Sequence, residues 1–312
     1  MRKSLALQSA LTQEFGACVF DVTLDCEDGA PVGGEREHAQ QVVELVREIA
    51  GNICSVPVQE RARIAVRIHP VDHGAFASDV ATIAGGAASL LCHLMIPKVE
   101  TVADVDRVVA ALAQCSSDPA AQSLPLHVLL ESPAAVHNAF AIAAHPRVQS
   151  ISFGLMDFIS AHGGAIPAAG MSGEGQFTHP LIVRAKLEIA SACHAHGKVP
   201  SHCVVTELRD VAALQRAAGV ASRQFGYSRM WSIHPDQIRP ILAAFAPQAD
   251  EIAVAAEIID RAQRARWAPI DHMGRLHDRA SFRLYWQILE RAHRTGQALP
   301  TSARRHFEIP LQ

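Results

Sequence analysis

The sequence predicts a single parallel α/β barrel. Three observations carry that prediction. Short β-rich runs alternate with longer runs of helical period almost to the C-terminus, no break in composition divides them, and no G-x-G-x-x-G follows a strand. The glycines of IAGGAAS come after a helical stretch, so a dinucleotide-binding fold has little support.

In chain order, MRKSLALQSALTQEFG lacks a long apolar core and a cleavage site, so it does not read as a signal peptide. ACVFDVTLD (17–25) is the first strand. EREHAQQVVELVREIAG then sets Ala39, Val42, Val43, Val46 and Ile49 on one stripe and stops at Gly51, as a helix lying on a sheet does. Further strands are RIAVRI (63–68), HLMIPK (93–98), LHVLL (126–130), SISFG (150–154), SHCVV (201–205) and the weaker RMWSI (229–233). Between the third and fourth, VADVDRVVAALA aligns Val102, Val105, Val108, Val109 and Leu112. Seven β/α units result, one short of the eight of a closed barrel. Residues 1–245 are assigned to the catalytic barrel. Residues 246–312, with two helical stretches separated by an irregular WAPIDHMGRLHD, are assigned to a C-terminal helical extension or lid.

At 312 residues, 49% hydrophobic and 19% charged, the chain has the balance of a globular protein with a large core. Net charge is −3 and the basic residues are scattered, which argues against nucleic acid or an anionic membrane as partner. Seven cysteines without a C-x-x-C pair fit reduced thiols, and no apolar run approaches a membrane span. A cytoplasmic protein is expected.

Active-site residues of a barrel lie at the C-terminal ends of its strands. Polar residues recur there: Asp25, Glu27 and Asp28 in TLDCEDGAP, Arg67 and His69 in VRIHP, Lys98 and Glu100 in IPKVE, Glu131 in LLESP, Asp157 in GLMDF, Glu207 and His234. Any one of them could be a cap or turn residue. Glu131 and Asp157, however, are one β/α unit apart, so adjacent parallel strands bring their backbones to about 5 Å. Two such carboxylates repel unless a proton or cation lies between them, and hard oxygen donors suit Mg²⁺, with Mn²⁺ as a substitute. Zinc is disfavoured, because the i, i+2 spacing of His194 and His196 points the rings apart on a helix. Arg67 needs an anionic partner: Glu27, Asp28, or a substrate carboxylate held bidentately.

These motifs, in this order, resemble the HpcH/HpaI aldolase and citrate lyase β-subunit-like superfamily, which includes malyl-CoA and citramalyl-CoA lyases. LDCEDGAP resembles its L-D-L-E-D-A-V, VRIHP its V-R-x-N and IPKVE its P-K-x-E. The stretch from LLESP to GLMDF resembles its I-E-T followed by G-x-x-D, and FGYSRMWSIHPDQI its G-x-x-G-K-x-x-I-H-P-x-Q. The resemblance implies a TIM (β/α)8-type barrel with Mg²⁺ on Glu131 and Asp157, and Arg67 on a 2-oxo acid beside Gly154 and Met156. Glu27 and Asp28 would act through metal-bound water. The implied reaction is reversible C–C cleavage of a hydroxyacyl-CoA, with CoA carried as part of the substrate, in a homo-oligomer such as a trimer or hexamer; the alternatives are a metal-dependent aldolase acting on free 2-oxo acids and a non-catalytic paralogue serving as a subunit. GRLHDRAS resembles a lid segment supplied by a neighbouring subunit, which casts Asp278 as a general acid/base. Cys26, Gly29–Ala30 and Ser228 depart from the pattern. The chain also begins inside what resembles the first helix, so the family's first strand is expected to be missing.

Overall fold

The computed structural model describes residues 2–50 and 57–307. Gly51, the expected stop of the helix after the first strand, and Cys54 lie outside them.

Seven strands form one sheet in which each pairs in parallel with the next. They are β1 (Val22–Asp25), β2 (Ile64–Arg67), β3 (His93–Ile96), β4 (Leu126–Leu130), β5 (Val148–Phe153), β6 (Val199–His202) and β7 (Arg229–Met230). The sheet curls into a half-barrel. Helices α1 (Arg2–Phe15), α2 (Glu35–Ala50), α3 (Phe76–Ala87), α4 (Val102–Cys115), α5 (Pro119–Ser123), α6 (Pro133–His137), α7 (Ala139–Ala144), α8 (Leu155–Ser160), α9 (Pro180–Ala195), α10 (Val211–Arg223) and α11 (Ile238–Phe245) precede, separate and follow the strands.

The helical stripes bury as their spacing demands. Ala39, Val42, Val43 and Val46 of α2 and Val105, Val108 and Leu112 of α4 are buried, and they join Ile64, Val66, Leu94 and Ile96 in one apolar layer. Fully burying each of these valine, leucine and isoleucine side chains contributes roughly 1.5–3 kcal/mol. The other face of the sheet is unusually polar. His127 bonds Ser150 Oγ at 2.5 Å through Nδ1 and Ser152 Oγ at 2.8 Å through Nε2.

The described chain does begin with a helix, and β1 and β7 are the two edges of the sheet. Across the gap, Arg229 of β7 pairs with Asp21, which immediately precedes β1 and also binds Arg63 at 2.5 Å.

The chain divides into two compact units. One holds the sheet: residues 1–8, 20–57 and 61–245. The other comprises residues 9–19, 58–60 and 246–312. It contains α12 (Ala249–Arg264), α13 (Arg279–Arg294) and α14 (Thr301–Arg304) around Ile252, Ile258, Ile259, Phe282 and Leu289. WAPIDHMGRLHD is not irregular. It forms an antiparallel hairpin of β8 (Ile270–His272) and β9 (Arg275–His277), turned at Met273 and Gly274, which both have positive φ. The short strands hid the alternation on which a strand assignment depends.

No disulfide joins the six described cysteines to one another. No described helix is long and apolar enough to cross a membrane.

Candidate active site

The site is assembled at the C-terminal ends of β1 to β5. At the end of β1, the Asp25 carboxylate accepts the backbone N–H of Glu27 at 3.1 Å and of Gly29 at 2.8 Å. A Cβ on Gly29 would lie 2.5 Å from Asp25 Oδ2, so glycine is what lets this loop close on the carboxylate. The same carboxylate grips Arg67 at the end of β2, with Nε 2.7 Å from Oδ1 and Nη2 2.5 Å from Oδ2. Arg67 Nη1 is 2.8 Å from Glu27 Oε2 and 3.8 Å from Asp28, and the guanidinium lies 5.4 Å from the centre of the Trp231 ring. Sequence reasoning named Glu27 and Asp28 as protein partners; the bidentate partner is Asp25. The β1–β2 register, which pairs Asp25 with Arg67, puts them side by side. Burial opposes the Arg67 charge, but Asp25 and Glu27 outweigh it and raise its pKa.

Lys98 follows β3 in a left-handed conformation, φ 53°, which costs a non-glycine residue roughly 1–2 kcal/mol. The strain has a visible use. It lets one residue donate twice into the site: its backbone N–H to Glu131 Oε2 at 2.9 Å and its Nζ to Glu27 Oε1 at 2.5 Å. The sequence marks Lys98 only as a polar residue at a strand end, because positive φ at a lysine leaves no compositional signal.

Glu131 follows β4 and is 6% exposed. The β4–β5 register pairs Leu130 with Phe153, so the next residues along, Glu131 and Gly154, come alongside. A Cβ on Gly154 would sit 2.4 Å from Glu131 Cγ, so glycine makes room for the carboxylate. Asp157 is therefore not at a strand end opposite Glu131, as the sequence suggested, but in the first turn of α8, which starts right after Gly154. It still faces the same charges. Burial first, and the Asp157 and Glu27 charges next, push Glu131 up to about 7. Met156, in the same turn, is 42% exposed.

A hard divalent cation fits these donors. Glu131 is a buried carboxylate that its surroundings leave short of positive charge, and Glu27 Oε2, though ion-paired with Arg67, is buried without an aligned hydrogen bond. At the opposite end of the strands, Asp21, Cys92 and His93 are also close enough to share a cation. They fit one poorly, since Arg63 and Arg229 already neutralise Asp21 and burial pushes the Cys92 thiol up to about 12.

Asp278 belongs to the second unit, where it caps α13 by accepting Ala280 N–H at 3.0 Å and Ser281 N–H at 3.4 Å. It lines a cavity with Arg266, Trp267, Pro269 and Arg279. His194 lies in the last turn of α9 and His196 just past it, and both are exposed.

The sequence profile of the HpcH/HpaI aldolase/citrate lyase family matches residues 5–235. The chain belongs to that family. It is 27% identical over 287 residues to an L-malyl-CoA/β-methylmalyl-CoA lyase of Rhodobacter capsulatus, an alignment covering 87% of this chain and 86% of the relative. The crystal structure of a citrate lyase from Burkholderia xenovorans LB400 shares 46% identity over 96% of this chain and 91% of its own, with a TM-score of 0.80. A Mycobacterium tuberculosis CitE structure, in complex with magnesium, acetoacetate and coenzyme A, has the same fold at 22% identity and a TM-score of 0.65, covering 92% and 95% of the two chains. The chain is thus an enzyme of a lyase family, and the family resemblance read from the motifs holds.

Proposed function

We propose that this chain is a Mg²⁺-dependent C–C lyase that splits, and in reverse forms, a 3-hydroxyacyl-CoA of the citryl-, malyl- or citramalyl-CoA type. The products of cleavage are an acyl-CoA and a 2-oxo acid. The observation that carries the reading is the Glu131–Asp157 carboxylate pair beside Arg67, with Glu131 pushed up to about 7. The lyase names of the relatives and the magnesium and coenzyme A held by the tuberculosis protein support it.

Glu131 and Asp157 would hold the cation, which supplies positive charge where negative charge develops on the substrate oxygen. Arg67 grips the oxo-acid carboxylate, exchanging part of its ion pairing with Asp25 and Glu27 for the substrate. Trp231 covers one face of the guanidinium and restricts the direction from which a carboxylate can approach. Glu27, tethered by Lys98 and ion-paired with Arg67, holds the guanidinium in place, and the more exposed Asp28 beside it would accept from a water. Gly154 leaves room for Glu131, and Met156 borders the bound acid. Asp278, delivered from a second copy in a homo-oligomer, would supply a proton-transfer group. The enzyme works in the cytoplasm.

The test is to incubate the protein with citryl-, malyl- and citramalyl-CoA, with Mg²⁺ or with EDTA, and to identify products by mass spectrometry. Acyl-CoA plus 2-oxo acid, formed only with Mg²⁺, is the expected result. Free CoA alone would mean thioester hydrolysis, and turnover only of CoA-free hydroxy-oxo acids would mean an aldolase; either overturns the proposal.

A further inference from the structure

Next to the Arg67 clamp stands a second polar pair that the clamp does not use. Ile68 is buried in the apolar layer beneath the helices, so alternation returns His69 to the Arg67 side of the chain. His69 Nδ1 lies 2.6 Å from Asp79 Oδ2, in the first turn of α3, and the same oxygen accepts the His69 backbone N–H at 3.0 Å. Asp79 is fully buried and its other oxygen has no partner. A carboxylate only accepts, so the proton of this bond sits on Nδ1, and Nε2 offers a lone pair. No described residue hydrogen-bonds Nε2, yet it is not among the atoms sealed from solvent.

The imidazole is held in place. The His73 ring stacks on it with centroids 4.3 Å apart and planes 11° apart. Arg107 staples the intervening loop through Asp72 at 2.7 Å and the Val71 carbonyl at 3.0 Å. The charged and titratable groups facing the pair are Asp79 on α3, His73 in the loop, Glu35 at the start of α2, and Cys26. Burial, then Asp79 and Asp25, push the Cys26 thiol up to about 12, against the pull of Arg67. Cys26 follows Asp25 and donates its backbone N–H to the Arg67 carbonyl at 2.9 Å, so the side chain beside the pair is carried on the backbone of the clamp.

A latch for the β2–α3 loop would account for the Nδ1 bond. It would not require a carboxylate buried with a free oxygen, which is costly, nor an open Nε2. We propose that His69, oriented by Asp79, transfers a proton on the oxo-acid side of the lyase site. The step rests on the C–C lyase reading above. In cleavage, Nε2 takes the proton of the substrate hydroxyl. The O–H electron pair becomes the new C=O bond of the 2-oxo acid, and the electrons of the breaking C–C bond leave on the thioester as its enolate. A different group protonates the enolate carbon. In the synthetic direction, His69 returns its proton to the former carbonyl oxygen. Asp79 is a positioning residue that fixes the tautomer.

Two measurements test this. In the first, wild-type protein is treated with diethyl pyrocarbonate, with and without Mg²⁺ plus pyruvate, and modification is mapped histidine by histidine. His69 should react and be protected by the oxo acid, while exposed His196 should not be protected. A His69 that is unreactive or unprotected overturns the proposal. In the second, His69→Asn and Asp79→Asn should each lower kcat by about 10²-fold, with KM within about twofold and the melting temperature kept. Exchange of the acyl-CoA α-hydrogens with deuterated water, which uses the other proton group, should persist in His69→Asn. Full kcat in the variants sinks the step alone, and so does loss of activity that tracks a lowered melting temperature. A wild type that cleaves no CoA ester sinks the lyase reading and the step with it.

Discussion

Glu131 carries a charge its surroundings do not welcome. Its folded pKa of about 7 exceeds the ordinary 4.5 of an exposed glutamate, for which burial and then Asp157 and Glu27 are responsible. The folded state therefore holds the Glu131 proton more tightly than the unfolded chain. This contribution is neutral below about 4.5, destabilises progressively as pH rises towards about 7, and is fully felt above it, at an order of a few kcal/mol. In EDTA, thermal melts should show stability falling across that window, and Glu131→Gln should flatten this part of the profile. A wild-type profile identical to that of Glu131→Gln would remove the strain from the account. The residues themselves were legible in the sequence, since acidic and basic side chains ending apolar strands need partners. Their pairing was less so. Glu27 and Asp28 do pair with Arg67 as expected, but the bidentate partner is Asp25, because the β1–β2 register puts the two level, and register is a long-range property that no local motif carries.

At the scale of elements, the seven strands were readable because apolar β-rich runs and helical stripes differ in period. Their ends were not. ACVFDVTLD contributes only Val22–Asp25 to the sheet and RMWSI only Arg229–Met230. Asp157 moved from a strand end into a helical turn, because a glycine beside Glu131 marks where β5 gives way to α8. The two edge strands are tied by an ion pair instead of a ladder. Burial would raise the Asp21 pKa, but Arg229 and Arg63 outweigh it and hold the carboxyl well below the usual range. Such stability is present above the unfolded pKa near 3.8 and is lost as pH falls. Arg229→Met should therefore destabilise the protein by roughly 1–3 kcal/mol in urea titrations, with Arg63 limiting the loss, and should move acid unfolding to higher pH. Unchanged urea midpoints would show that the link between β7 and β1 is dispensable.

For the whole molecule, the site draws residues from five consecutive strand ends and the loop after β7, while Asp278 lies in a separate compact unit. That unit also includes residues 9–19 and 58–60, far from it in sequence. The sequence sets residues 246–312 apart, but nothing in it joins 9–19 and 58–60 to them, because each of those two short segments reads locally as part of a barrel helix or loop. The central claim is that two carboxylates on neighbouring β/α units hold a divalent cation beside an arginine. Calorimetric titration with MgCl₂ in the presence of pyruvate tests it most directly, on the wild type, Glu131→Gln and Asp157→Asn. The account predicts saturable binding to the wild type and its loss in both variants, with each variant still folded by circular dichroism. Wild-type affinity in either variant would contradict it.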